Sequence, residues 1–103
     1  ANLRPSVDFC PRTGVYATWC WIDGVREKSV TNIGYNKTFI DSKCPDKKIE
    51  THILDRQIDL YGHEIRIELV KFMREEKKFS NVEELKKRIS QDCKKAFEVL
   101  LNE

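Results

Sequence analysis

The feature that most limits what this chain can become is the run Gly14-Val15-Tyr16-Ala17-Thr18-Trp19-Cys20-Trp21-Ile22, followed at once by Asp23-Gly24. The run is rich in β-branched and aromatic side chains and reads as a strand. Asp-Gly is the signal of a two-residue type I′ hairpin turn, in which both turn positions need positive φ. Residues 25–33 then form the returning strand, so an antiparallel pairing is set early in the chain. Residues 1–13, with Pro5 and Pro11, read as irregular chain leading into it.

The rest of the chain adds strands and then one helix. Residues 34–46 hold turn formers and lysines and read as a loop with a short extended piece at Thr38-Phe39-Ile40. Ile49-Glu50-Thr51-His52-Ile53-Leu54-Asp55 is a short strand. Alternation places Glu50, His52 and Leu54 on one face, and Ile49, Thr51 and Ile53 on the other. Two readings of Glu50 are open: a solvated position on a sheet face, or a positioned general base beside a histidine. After a polar break at 55–62, residues 63–73 alternate again. Ile65, Ile67 and Leu69 share one face and Glu64, Arg66 and Glu68 the other, which predicts a half-buried strand. Arg74-Glu75-Glu76-Lys77-Lys78 is a charged connector.

Ser80 and Glu83 form a capping box that opens the helix. Val82, Leu85, Ile89, Cys93, Ala96 and Leu100 recur at spacings of three and four, one apolar stripe that predicts packing across the sheet. Glu84 and Arg88, four apart, support its surface. Strands first and one helix last give a mainly β or α+β fold: an antiparallel sheet or small barrel with a C-terminal helix.

Composition narrows the function classes. A length of 103 residues suits one domain. The net charge of +2 is too small to argue for nucleic acid or an anionic membrane. The aromatics Trp19, Trp21, Tyr35 and Phe39 among lysines raise a nucleic-acid-binding barrel as an alternative, and that near-neutral charge weighs against it. No apolar run reaches the roughly 20 residues of a membrane span, and no signal-peptide pattern opens the chain. Cys10, Cys20, Cys44 and Cys93 lack zinc-ligand spacing and read as reduced thiols, with the cytoplasm as the default location. No complete Gly-rich phosphate loop and no Gly-x-Ser-x-Gly elbow is present.

Several stretches taken together resemble one family. They are Ala1-Asn2-Leu3, Gly14-Val15-Tyr16, Asn32-Ile33-Gly34 with Asn36 and Thr38-Phe39, Glu50-Thr51-His52-Ile53-Leu54-Asp55, Asp59-Leu60-Tyr61-Gly62, and Phe72-Met73-Arg74 with Glu76-Lys77-Lys78-Phe79. In order and spacing the chain resembles the riboflavin kinase domain, above all the bacterial form fused behind an FMN adenylyltransferase. The resemblance implies a single domain over 1–103, a six-stranded antiparallel, Greek-key-like barrel with the C-terminal helix packed on it. It implies transfer of the ATP γ-phosphoryl group to the ribityl 5′-hydroxyl of riboflavin, giving FMN and ADP, with Mg²⁺ accompanying the nucleotide. Glu50 matches the family's catalytic base. Asn2 matches the Asn of its Pro-Thr-Ala-Asn motif, near the metal and the nucleotide phosphates. Arg74 and Glu75 fall in the segment that closes over the flavin ring.

The chain departs from the family in three places. Lys37 replaces the Pro of the family's Asn-Pro-Thr, so Asn36 and Thr38 are expected to be loop structure only. Asp55-Arg56-Gln57-Ile58-Asp59 lacks the Gly of Asp-x-x-Gly-Asp. The family's opening strand and its Leu-Gly-Phe-Pro-Thr nucleotide loop would lie before Ala1. The chain is therefore expected to be a piece of a longer enzyme with a covalently linked adenylyltransferase domain. A flavin-binding barrel without catalysis is the other outcome the resemblance leaves open.

Overall fold

The structure, a computed structural model, describes residues 2–3, 12–35, 47–54 and 62–102. Five strands precede one helix: β1 Asn2–Leu3, β2 Gly14–Ile22, β3 Val25–Tyr35, β4 Lys47–Ile53, β5 Ile65–Arg74 and α1 Val82–Leu101. The strands form one sheet in the order β1-β4-β3-β2-β5, every neighbour antiparallel.

The β2–β3 hairpin follows the turn chemistry. Asp23 has φ 48° and Gly24 φ 87°, so both central residues are left-handed as a type I′ turn requires. The turn is tied to β5, because Asp23 accepts from the Glu64 backbone N–H at 3.1 Å and from His63. Those two hydrogen bonds, with the His63 charge, hold the Asp23 carboxyl below its ordinary pKa. β3 runs two residues beyond the expected strand, to Gly34 and Tyr35. Part of the stretch read as irregular is also a strand: Asn2 stands opposite Glu50 and Leu3 opposite Ile49. Two residues carry no period, so pattern alone had nothing to detect there. The expected piece at Thr38-Phe39-Ile40, the residues Asn36 and Lys37, the turn at 55–59, and Cys10 and Cys44 lie outside the described residues.

The sheet has two apolar faces. On one, Tyr16, Ile33 and Ile49 pack with Leu69 and Phe72, and Cys20 and Ile22 pack with Ile53, Ile65 and Ile67. Ile53 belongs to β4 and Ile65 to β5, which are separated by β3 and β2 in the sheet order. Both pack against the same β2 pair, Cys20 and Ile22, so this face carries an apolar cluster that reaches from β4 across to β5. Buried hydroxyls cross this face in a line: Thr18 to Ser29 at 2.6 Å, Thr18 to Thr31 at 2.8 Å, and Thr31 to Thr51 at 2.9 Å. Each satisfies another, and a one-residue slip of β4 would carry Thr51 to the opposite face and strand its neighbour. The hydroxyl line therefore holds β4, and Glu50 with it, in register.

On the other face Val15, Ala17, Trp19 and Val30 pack with Ala96 and Leu100 of α1. Trp19 is buried here with the Arg26 guanidinium 3.8 Å from its ring centroid, so it is a core residue and not a stacking surface for bases. The helix starts one residue later than expected. Asn81 is the N-cap, its Oδ1 accepting from the Glu84 N–H at 2.8 Å, while the Ser80 hydroxyl donates to the Glu84 carboxylate at 2.8 Å. Asn caps at least as well as Ser, and this register puts Glu83 and Glu84 in the first turn against the positive end of the helix dipole. The apolar stripe is only half buried: Ala96 and Leu100 are 0% and 1% exposed, but Val82, Leu85 and Ile89 are 63%, 40% and 36% exposed.

Candidate active site

Two of those uncovered residues, Leu85 and Ile89, border a cavity of about 340 Å³ between the N-terminal half of α1 and the β2–β3–β4 face. Leu85 and Ile89 from the helix, Val15 and Val30 from the sheet, and Phe79 from the connector form its apolar wall. Asn32, Glu50 and His52 form its polar wall. Alternation in β4 is what turns Glu50 and His52 to this side, away from the buried Ile49 and Thr51.

Glu50 sits at the centre of three strands. Asn32 of β3 is its partner on one side, and Asn2 of β1 is its partner on the other. The Lys48 ammonium lies 3.1 Å from Glu50 Oε1, an exposed pair that orients the carboxylate more than it stabilises the fold. Asn32 Oδ1 is buried and has no hydrogen-bond partner among the described residues. Sequence reasoning did not single out Asn32 for chemistry; it is an ordinary polar residue on a strand until Glu50 is placed beside it.

The connector after β5 closes the cavity's end. Arg74 donates through Nε to Asp92 Oδ1 at 2.9 Å and through Nη2 to Oδ2 at 2.7 Å, a two-pronged, largely buried pair. Its Nη1 donates to the Glu75 carbonyl at 2.9 Å. Arg74 thus lines the cavity and also fastens β5 to the middle of α1. Glu75 turns elsewhere: it pairs with Arg12 at 3.0 Å, is exposed, and does not line the cavity. The connector's cavity residues are Glu76, Lys77 and Phe79. The Glu76 carboxylate lies against Gly34, in the space a Cβ there would take, so the connector crosses close over the end of β3, and a side chain at 34 would have to displace that carboxylate. A lone Phe79 in a charged run was the available sign that this segment packs against something. Asp92 gave none, because its partner is eighteen residues away in sequence.

Among the described residues no thiol lines the cavity. Cys20 and Cys93 are free, and burial pushes both thiols up, which suppresses the reactive thiolate. Among the described residues no cluster of three or more His, Cys, Asp or Glu could hold a metal by itself. The site offers the Glu50 carboxylate beside an apolar slot, an arrangement that fits a ligand with a flat apolar part and a hydroxylated part.

The sequence profile of the riboflavin kinase family matches residues 1–100. The chain belongs to the riboflavin kinase family. Its similarity to individual family proteins covers the same ground. It is 36% identical over 92 residues to the bifunctional riboflavin kinase/FMN adenylyltransferase of Bacillus subtilis (strain 168), covering 89% of this chain and 29% of that protein. The protein of the same description from Escherichia coli (strain K12) is 38% identical over 95 residues, with the same two shares, 89% and 29%. The chain therefore spans less than a third of the length of the curated relatives it matches. A solved structure described as a macrolide-efflux protein from Streptococcus pneumoniae superposes with a TM-score of 0.69 over 88% of this chain and 30% of its own, at 20% identity. That likeness shows a shared fold alone. Among the described residues, no helix is long and apolar enough to cross a membrane.

Proposed function

We propose that this chain carries out the phosphoryl transfer of its family, from ATP to the ribityl 5′-hydroxyl of riboflavin, giving FMN and ADP. The observation that carries the reading is Glu50, a carboxylate opening into a cavity whose opposite wall is the uncovered apolar stripe of α1. The flavin ring lies against Leu85 and Ile89, and the ribityl chain runs toward β4. Glu50 accepts the proton of the 5′-hydroxyl as its oxygen bonds to the γ-phosphorus and the bond to the β–γ bridging oxygen breaks. Arg74 stands at the ring end. Glu75, outside the cavity, belongs to its outer rim.

Mg²⁺ suits the donors on this side of the cavity, which are hard oxygens too few for a closed cage. Such an ion keeps several waters and shares the nucleotide phosphates. Asn2, opposite Glu50 in the sheet, is the residue assigned to hold it. When bound, the metal neutralises phosphate charge; the work of Glu50 is with the hydroxyl proton. The bifunctional relatives support a further assignment, an FMN adenylyltransferase domain in the same polypeptide.

The test is chromatography of riboflavin incubated with ATP, Mg²⁺ and the protein at its natural length. FMN is expected from the wild type, and Glu50→Gln should lower its rate by about 10²–10⁴-fold, the usual weight of a general base. Riboflavin affinity should stay within a few-fold. Near-normal turnover by Glu50→Gln would remove the base assignment, and flavin binding without FMN from the wild type would make the chain a binding module.

A further inference from the structure

Asn32 carries a buried side-chain oxygen in the cavity wall that has no hydrogen-bond partner among the described residues. It stands directly across from Glu50 in the β3–β4 pairing, so their Cβ atoms are about 4.5–5.5 Å apart on one face. Both line the cavity. The Glu50 carboxylate has Lys48, but Asn32 Oδ1 is buried with no donor among the described residues. A buried acceptor in that state is destabilising unless something else supplies the hydrogen, and a bound hydroxyl is such a donor. Water could serve an empty cavity; a polyol that displaces it must replace its hydrogen bond. The reach from Asn32 to Glu50 matches two hydroxyls on nearby carbons of one chain.

We propose that Asn32 is a second substrate-contacting residue: its side-chain amide accepts a hydrogen bond from a ribityl hydroxyl near the one that Glu50 deprotonates, and so holds the polyol chain in the cavity. This rests on riboflavin occupying the cavity as proposed above. The amide makes the site selective for a flavin that carries its polyol chain over one that does not. Because the contact is made in the ground state and kept through the transfer, its loss falls mainly on KM.

The experiment compares riboflavin with lumiflavin, the same ring without the ribityl chain, by fluorescence titration of the wild type and Asn32→Ala. Asn32→Ala is expected to weaken riboflavin roughly 5- to 10-fold, the loss of one neutral hydrogen bond, and to leave lumiflavin within twofold. Its KM for riboflavin should rise by the same factor, with kcat within about threefold. Should the alanine variant lose the sheet's circular-dichroism signal, Asn32→Ser takes its place; it keeps an acceptor nearby and should recover part of the riboflavin affinity. Equal losses for both flavins, or no loss for either, would overturn the role of Asn32 while leaving the kinase reading intact. A wild type that binds neither flavin would overturn that reading, and this inference with it.

Discussion

The two halves of α1 carry one apolar stripe with one period and put it to different uses. In the C-terminal half, Ala96 and Leu100 disappear against Val15, Ala17, Trp19 and Val30. In the N-terminal half, Leu85 and Ile89 look onto the cavity, and the facing sheet presents Asn32, Glu50 and His52 among its residues. An amphipathic period specifies a face that gains from leaving water; it does not say what will cover that face. Where the sheet answers with apolar side chains, the result is core. Where it answers with a carboxylate and an amide, the uncovered stripe becomes one wall of a site. The Arg74–Asp92 pair marks the border between the two regimes.

The border is the first place to break the comparison. Asp92→Ala leaves the Arg74 guanidinium largely buried without its carboxylate, a loss of about 3–5 kcal/mol in stability. Denaturant unfolding of Arg74→Ala, Asp92→Ala and the double variant measures it. The double variant should be less damaged than the sum of the singles, because neither charge is then left alone. Strict additivity would show that the pair does not join the two halves. The next largest effect belongs to the buried half. Leu100→Ala should cost about 2–5 kcal/mol by the same measurement, with riboflavin affinity at low denaturant unchanged. A stable Leu100→Ala variant would mean that the C-terminal half is not the anchor of the helix.

The sequence carried the hairpin, the β5 alternation and the stripe because each is written in local spacing that the sheet and helix enforce. Asp23-Gly24 specified its own turn, and the alternation around Glu50 correctly put Glu50 and His52 together and Thr51 inside. What it did not carry depends on partners distant in the chain. Asn2–Leu3 is a strand only because β4 has a free edge for it. The helix cap fell on Asn81 because Ser80 and Asn81 are both competent caps, and neighbouring contacts choose between them. For the site, family resemblance pointed at Glu50 and Arg74, and the fold places both at the cavity. It pointed also at Glu75, which faces Arg12, while Glu76, Lys77 and Phe79 took the inward positions. A charged run without a period does not state which of its residues turns in.

The smallest expected change in stability is also the most direct test, because Leu85 and Ile89 are held to serve the ligand and not the core. Riboflavin should be titrated, by quenching of its fluorescence, against the wild type and against Leu85→Ala/Ile89→Ala, with thermal melting of each. The two truncations remove apolar contact from one wall and should weaken riboflavin by about tenfold or more, at roughly 0.8 kcal/mol per buried methylene lost. The melting temperature should stay within a few degrees. A variant that melts far lower while binding riboflavin normally would contradict the account, since the N-terminal half of the helix would then be core and the ligand would lie elsewhere.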